Sequence, residues 1–152
     1  KTYTLCVTPL YIPPEVILNR GHNWGADHWS LGVLLFEMFE GYTPFYTEGM
    51  DQMDLFRAIA RGHYDVPKKI SREAKSILAG FLTTDPNLRL GSLSGGEQDI
   101  YNHAWFKSID FEKLRNKEIP APFMPDIKDP LDASNFSDWS HVDDKLKKKY
   151  PK

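Results

Sequence analysis

Disulfides, membrane-spanning runs and a strong charge imbalance are all missing from this sequence. Its single cysteine, Cys6, has no second cysteine to pair with, and no apolar run is long enough to cross a bilayer. The 19 Lys and Arg nearly balance the 21 Asp and Glu, so the net charge of −2 does not favour nucleic acid as a partner. The first residues carry no secretory signal pattern. We therefore expect a cytoplasmic protein with no transmembrane segment.

Apolar residues are numerous enough for one globular core. They make up 41% of the 152 residues, and aromatic residues make up 13%. This composition argues against disorder throughout the chain. Because the sequence begins without methionine in the middle of a patterned loop, we expect a fragment of a longer protein.

Helical patterns dominate the first two thirds of the chain. The segments with helical spacing or caps are 15–18, 27–40, 53–62 and 71–82, and less clearly 97–106 and 110–116. The segment "DHWSLGVLLFEMFE" at 27–40 is apolar on nearly every side, which is typical of a buried helix, with Asp27 as its predicted N-cap and Gly41 as its stop. Ser71 is placed to cap the helix that follows it. The fold class is therefore mainly α.

Three segments have no helical pattern. The first, "TLCVTPLYIPPE" at 4–15, has three prolines, each without the N–H that a helix or central strand needs. From Pro120 the chain has closely spaced prolines and no periodicity, which predicts an extended tail. The third, "LSGGEQ" at 93–98, resembles the signature loop of ATP-binding-cassette transporters. The other motifs of such a protein are not found, so we interpret 91–96 as a glycine-rich surface turn.

Six motifs occur in an order that resembles one protein family. They are "TLCVTPLYIPPE", "ADHWSLGVLLFEM", "GYTPF", "DPNLRLG", "HAWF" and "NFSDW". Together they resemble the helical C-terminal lobe and tail of an AGC-group serine/threonine protein kinase, and "KTYTLC", "VILNRGH" and "ADHWSLG" are most similar to cyclic-GMP-dependent kinases, with cyclic-AMP-dependent kinases next. The resemblance implies a partial kinase domain at 1–106, from the end of the activation loop through the C-lobe, and an AGC-kinase tail at 107–152.

The resemblance implies roles for two threonines. Thr4 matches the activating phosphothreonine of the family, where a phosphate adds about −1.5 to −2 charges that arginine or lysine can bind. An exposed loop threonine is the alternative. Thr8 matches the threonine whose hydroxyl bridges the catalytic aspartate and a neighbouring lysine, and a turn-stabilising Thr-Pro pair is its alternative.

The resemblance also implies a peptide-substrate site. Leu5, Pro9 and Ile12 match an apolar pocket for the substrate residue that follows the phosphoacceptor, and the alternative is that they fill the core. Glu37 matches an acid that receives a basic side chain upstream of the phosphoacceptor. An acid on an otherwise apolar helix needs a partner, which favours this placement over an accident.

Four further residues match positions with structural or ATP-binding roles. Glu15 matches an acid that pairs with Arg89 in a buried, bidentate contact. Asp27 matches a buried aspartate that accepts hydrogen bonds from the catalytic-loop backbone, which is compatible with an N-cap role. Phe136 matches the tail aromatic that reaches the adenine pocket. Cys6 matches a family cysteine and receives no catalytic role.

The proline-rich loop departs from the family at three positions. Val7 replaces the usual glycine, Leu10 a glutamate and Pro13 an alanine. The missing glutamate weakens the expected preference for arginine-rich substrates, and Val7 would misplace the loop if the glycine has an unusual φ. These departures motivate an alternative function, a pseudokinase-like docking module without catalytic activity.

The residues that carry out phosphoryl transfer are missing from the sequence. It has no Gly-rich nucleotide loop, no strand lysine, no H-R-D-x-x-x-x-N and no D-F-G, and no metal site is predicted. We therefore expect the chain to be inactive alone and to expose apolar surface that missing segments would cover. The resemblance implies that ATP and Mg²⁺ bind mainly to upstream segments, that the substrate is a protein or peptide, and that an N-lobe and cyclic-nucleotide-binding regulatory domains lie upstream.

Overall fold

A computed structural model describes residues 8–137 of the chain. Their regular structure is helical, with no β-strand among them, which confirms the mainly-α prediction. The α-helices are α1 (Pro14–Ile17), α2 (Gly25–Glu40), α3 (Gln52–Arg61), α4 (Arg72–Phe81), α5 (Glu97–Tyr101) and α6 (Phe111–Arg115). Short 3₁₀ turns occupy Pro9–Tyr11 and Ala104–Phe106.

The start of α2 differs from the sequence prediction. Trp24 occupies the cap position, and the Asn23 side-chain oxygen accepts a hydrogen bond from the Gly25 amide at 3.1 Å. The Asp27 amide donates to the Trp24 carbonyl at 3.0 Å, and the Asp27 side chain is exposed. The N-cap prediction for Asp27 is therefore wrong, because Asn23 begins the turn upstream. The predicted stop at Gly41 is confirmed, with φ of 79°.

Helix α3 ends at the predicted glycine, and helix α4 begins after the predicted serine cap. The Asp51 carboxylate accepts a hydrogen bond from the Asp54 amide at 2.8 Å, and Gly62 ends α3 with φ of 69°. The Ser71 hydroxyl accepts one from the Ala74 amide at 3.1 Å and caps α4. The apolar faces of both helices are buried.

The core lies between α2 and the two helices that follow it. Its buried residues are Trp29, Val33, Phe45, Leu55, Ile59 and Leu82. The rings of Trp29 and Phe45 stack with centroids 5.4 Å apart. Helix α2 also packs closely on α4 at Gly32, where a Cβ would lie 2.7 Å from Phe81 Cβ. One side of α2 thus forms the centre of the core.

The opposite side of α2 is not covered within residues 8–137. Leu31, Leu34 and Met38 recur at helical spacing and are between 42% and 66% exposed. The helix is therefore apolar all round but buried on one side only, and the predicted exposed apolar surface is present.

The chain divides into two compact units, Lys1–Asp110 and Phe111–Lys152. The described part of the second unit consists of α6 followed by residues 116–137, which form no regular helix or strand. Its contacts are local, such as the hydrogen bonds that the Asp132 carboxylate accepts from the amides of Lys128 and Ser134 at 3.0 and 2.9 Å. Residues 91–96 form turns that lead into α5, as predicted.

Candidate functional site

The proline-rich loop is fixed against the first turns of α2. Its 3₁₀ turn begins with a hydrogen bond from the Tyr11 amide to the Thr8 carbonyl at 3.1 Å. The Ser30 hydroxyl lies 3.1 Å from the Tyr11 carbonyl and 3.2 Å from the Ala26 carbonyl, so it can donate to either the loop or its own helix. Backbone and side-chain contacts thus hold the part of this segment that precedes α1.

The residues predicted to form the substrate pocket have different environments in this loop. Pro9 is exposed, whereas Ile12 is only 2% exposed and belongs to the core. The position of Ile12 favours the core-filling alternative for that residue. Thr8 is exposed and its side chain makes no cap hydrogen bond. Thr4 and Leu5 lie outside the described residues.

Glu37 has a partner that the sequence reasoning missed. The Tyr11 hydroxyl donates a hydrogen bond to Glu37 Oε2, joining the loop to the fourth turn of α2. This hydrogen bond, helped by burial and by the negative charge of Glu37, raises the pKa of Tyr11 above its ordinary value. The signal available in the sequence was an acid on an apolar helix together with a tyrosine between two prolines.

Glu15 and Arg89 form a buried, bidentate ion pair. Arg89 Nη1 lies 2.7 Å from Glu15 Oε1, and Nη2 lies 2.8 Å from Oε2. The two side chains are 3% and 0% exposed, so the charges compensate each other away from water. The end of the proline-rich loop is thereby joined to the segment after α4.

Arg89 also contacts the backbone of two other segments. Its Nη1 donates to the Gly25 carbonyl at 2.7 Å and its Nε donates to the Thr83 carbonyl at 2.9 Å. The guanidinium carbon lies 5.2 Å from the centre of the Trp29 ring, a cation–π contact. These additional acceptors satisfy a charge that would otherwise be costly to bury.

Two other predicted site residues, Asp27 and Phe136, are exposed. Asp27 is exposed, and no catalytic-loop segment is present in the sequence to cover it. Phe136 belongs to the second unit and is 76% exposed. One exposed aromatic ring does not make a site for ATP.

Among residues 8–137, no group of three or more His, Cys, Asp and Glu side chains could hold a metal ion. No helix in that range has both the length and the apolar character to cross a membrane.

A family model described as "Protein kinase domain" matches residues 1–106. The match includes the proline-rich loop, the Glu15–Arg89 pair and helices α1 to α5. The chain therefore belongs to the protein kinase family.

Individual relatives narrow the class to kinases of the AGC group. The chain is 45% identical to "Protein kinase 2" of Dictyostelium discoideum, over 89% of this chain and 27% of that protein. It is 44% identical to "Serine/threonine-protein kinase gad8" of Schizosaccharomyces pombe, over 90% of the chain and 23% of the relative. It is 39% identical to human "cGMP-dependent protein kinase 2", over 91% of the chain and 18% of the relative. The chain thus spans between 18% and 27% of the length of these relatives.

Proposed function

We propose that this chain is the substrate-binding part of a serine/threonine protein kinase that transfers the γ-phosphate of ATP to serine or threonine of proteins. The observation that carries the proposal is the hydrogen bond from Tyr11 to Glu37. It keeps a carboxylate beside a loop that matches the family's peptide-binding loop. The kinase names of the relatives support the same activity.

The proposed roles divide between two kinds of recognition. Glu37 binds a basic side chain upstream of the phosphoacceptor, while Leu5 and Pro9 contact the residue that follows it, with Ile12 supporting them from the core. Thr4 is the activating phosphosite, and Thr8 orients the catalytic loop. The Glu15–Arg89 pair holds the loop in position for both.

ATP and Mg²⁺ are assigned mainly to upstream segments. The sequence has neither the lysine nor the acidic residues that grip phosphate and metal in kinases, and the described residues do not fit the pair by themselves. Phe136 is the one proposed ATP contact of this chain. We expect the chain alone to be inactive.

Regulation by a cyclic nucleotide is the finer part of the proposal. It is supported by the resemblance to cyclic-GMP-dependent kinases and by the 39% identity to one of them. The 45% and 44% identities to two relatives not named for a cyclic nucleotide leave a kinase without that control as its competitor. Measuring the activity of the full-length gene product with and without cyclic GMP and cyclic AMP decides between them.

The departures at Val7, Leu10 and Pro13 favour a second candidate, a non-catalytic docking module. The kinase and the docking module predict different motifs in the upstream coding sequence. Intact strand-lysine, H-R-D and D-F-G motifs there support the enzyme, and degraded motifs support the docking module.

The proposal is tested on the full-length gene product with serine peptides that carry or lack upstream arginines. We expect Thr4→Ala to lower activity towards every peptide. The preference is the ratio of kcat/KM for peptides with upstream arginines to kcat/KM for peptides without them. We expect Glu37→Gln to lower this ratio by about tenfold or more, because a charged hydrogen bond contributes about 1.5–3 kcal/mol.

The matched control is Glu40→Gln on the same helix. Glu40 also accepts a hydrogen bond from a tyrosine, Tyr42, at 3.4 Å, but lies one turn further from the loop. We expect Glu40→Gln to leave the preference for arginine peptides unchanged. A folded full-length protein that binds ATP but phosphorylates no peptide would contradict the proposal and favour the docking module.

A further inference from the structure

Ser71 is an exposed serine that follows a pair of lysines in the segment "PKKIS". Lys68 and Lys69 precede it by three and two residues. Of all the serines and threonines in the sequence, only Ser71 has two lysines or arginines among the three residues before it. The segment has no role in the proposed function, but it has the upstream charge that the proposed substrate site would select.

The segment around Ser71 is accessible to another protein. Residues 63–70 form no regular helix or strand, and Lys68, Lys69 and Ser71 are all exposed. The backbone of Ser71 is extended, with φ of −65° and ψ of 164°, and α4 begins only after it. Within residues 8–137, neither lysine takes part in an ion pair. Both cations are therefore available to an acid of a second molecule.

The Ser71 hydroxyl is held only by groups in the first turn of α4. Its Oγ accepts a hydrogen bond from the Ala74 amide at 3.1 Å. Hydrogen bonds, first from the backbone amide of Glu73 itself and then from the Ser71 side chain, lower the pKa of Glu73. Because both partners lie at an exposed helix end, the hydroxyl is freed by fraying of one turn and the core stays packed.

The start of α4 can also accommodate a phosphate on Ser71. The phosphate would add about −1.5 to −2 charges beside the amides and the positive dipole end of the first turn. Lys75 lies one turn further along the same helix. Glu73 opposes the added charge, but its side chain is exposed and can turn towards water. Phosphorylation is therefore compatible with the folded helix.

Glu37 supplies the complementary charge on the proposed peptide-binding loop. Among the described residues, only the Tyr11 hydroxyl donates to its side chain, at Oε2, so Oε1 remains for a basic residue of a substrate. Neither Lys68 nor Lys69 pairs with Glu37 within the same molecule, and α4 is packed against α2. Ser71 could reach its own loop only if these helices separated, so the geometry favours a reaction between two copies.

We propose that Ser71 is phosphorylated by a second copy of the full-length protein, whose Glu37 binds Lys68 or Lys69. This inference rests on the proposed kinase function, and the ATP is the one that the full-length kinase would bind. Ser71 Oγ forms a bond to the γ-phosphorus while the bond from that phosphorus to the β–γ bridging oxygen breaks. ADP leaves, and the hydroxyl proton is released.

The test starts from full-length gene product that has been treated with a phosphatase, which is then removed. The protein is incubated with ATP and Mg²⁺, and mass spectrometry measures the phosphate on Ser71 over time. A serine peptide with upstream arginines is phosphorylated in a parallel reaction to report kinase activity. We expect the initial rate per molecule to rise with protein concentration, because two copies must meet.

Variants of the substrate segment test its recognition. Replacing both lysines, Lys68→Ala with Lys69→Ala, should lower the initial rate at Ser71 about tenfold, the change expected when a charged hydrogen bond is lost. Arg72→Leu should raise the rate, because the pocket proposed for the residue after the phosphoacceptor is apolar. Ser71→Ala should remove the phosphate from this segment.

The matched control is Ser76→Ala. Ser76 is exposed on the same helix and follows Lys75, but it lies inside α4 with its Oγ 3.1 Å from His103 Nε2. Its loss should leave the rate at Ser71 unchanged.

The outcomes separate this inference from the proposed function. Phosphorylation of the arginine peptide without any at Ser71 would overturn this inference alone. Equal rates with and without the two lysines, or a rate per molecule that does not depend on concentration, would do the same. If neither Ser71 nor the peptide is phosphorylated, the proposed function is overturned as well.

Discussion

Arg89 joins three separate segments of the chain through one guanidinium group. It contacts Glu15 at the end of the proline-rich loop, Gly25 at the start of α2 and Thr83 just after α4. All of these contacts are hydrogen bonds made by an arginine side chain that is fully buried. The position of the proline-rich loop therefore depends on the buried guanidinium of Arg89 and on the presence of all its hydrogen-bond acceptors.

Removing one partner of this pair should be strongly destabilising. We expect Glu15→Gln to lower the free energy of unfolding by about 3–5 kcal/mol, because the buried guanidinium loses its compensating charge. Arg89→Lys should also destabilise, since an ammonium group cannot make the bidentate contact. Urea unfolding followed by circular dichroism measures both.

The control is an exposed ion pair in the same chain. Arg57 and Asp54 lie 2.7 Å apart, but their side chains are 62% and 54% exposed. We expect Arg57→Ala to change the free energy of unfolding by less than about 1 kcal/mol. A loss for Glu15→Gln no larger than this would contradict a stabilising role for the buried pair.

His28 should make stability depend on pH. Burial lowers its pKa below the ordinary value, the carboxylates of Glu97 and Asp27 oppose this, and Arg89 adds to it. The folded state therefore favours the neutral ring, whose buried Nδ1 has no hydrogen-bond partner among residues 8–137. This contribution is present above the unfolded pKa of about 6.5 and is lost as pH falls through the folded value.

The variant His28→Phe isolates this effect, because a phenylalanine can pack on Phe81, whose ring centre lies 6.4 Å from that of His28. Between about pH 7.5 and pH 5, wild type should lose more stability than the variant, as measured by the urea midpoint. Parallel pH profiles would show that His28 does not couple protonation to folding.

At the scale of whole elements, the close approach of α2 and α4 depends on Gly32. A Cβ at this position would lie 2.7 Å from Phe81 Cβ and 3.0 Å from Leu82 Cδ2. Glycine is usually a weak point inside a helix, because alanine is about 0.5–1 kcal/mol more favourable there. Here the missing side chain allows two helices to share one core.

The substitution Gly32→Ala should therefore lower the stability of this protein, whereas the same change in an isolated helix would raise it. We expect a loss of about 1–3 kcal/mol in the free energy of unfolding, because the added methyl overpacks the contact. Leu34→Ala, on the uncovered side of the same helix, should cost less. An increase in stability for Gly32→Ala would show that the two helices can move apart freely.

Local sequence signals predicted those element boundaries that depend on local chemistry. Ser71, Gly41 and Gly62 mark helix ends because a hydroxyl cap and a left-handed glycine act within one turn. The start of α2 was missed because two acceptable capping residues, Asn23 and Asp27, lie close together. Only the backbone path decides between them.

The site could be predicted only in part. Glu15 and Arg89 are 74 residues apart, so their pairing was expected from family resemblance and not from spacing. Tyr11 was missed because its hydroxyl meets Glu37 only after the loop folds onto α2. The backbone acceptors of Arg89 leave no mark in the sequence, since any residue supplies a carbonyl group.

At the scale of the whole molecule, the uncovered side of α2 is the main unfavourable feature. Leu31, Leu34 and Met38 form an apolar strip on a helix whose other side is the centre of the core. The relatives are about four to six times longer than the matched stretch, since it spans 18% to 27% of their length. In the proposed kinase, upstream parts of the C-lobe would cover this strip.

The chain alone should consequently self-associate. We expect sedimentation to show association that rises with concentration, and the triple variant Leu31→Gln, Leu34→Gln, Met38→Gln to reduce it, because glutamine keeps the helix propensity and removes the apolar surface. Met53→Gln, which changes an exposed methionine on α3, is the control. A monomeric wild-type chain with a sharp, cooperative thermal transition would contradict this expectation.

The order in which the chain is synthesised determines when the Glu15–Arg89 pair can form. Glu15 leaves the ribosome before its partner Arg89, which is 74 residues further along the chain and leaves it correspondingly later. At about 5–20 residues per second, the delay is roughly 4 to 15 s. During that interval the carboxylate has no guanidinium to pair with, so it stays in water and the proline-rich loop remains unfixed. The proposed peptide-binding loop, although it is made first, is therefore completed only after the helices that follow it.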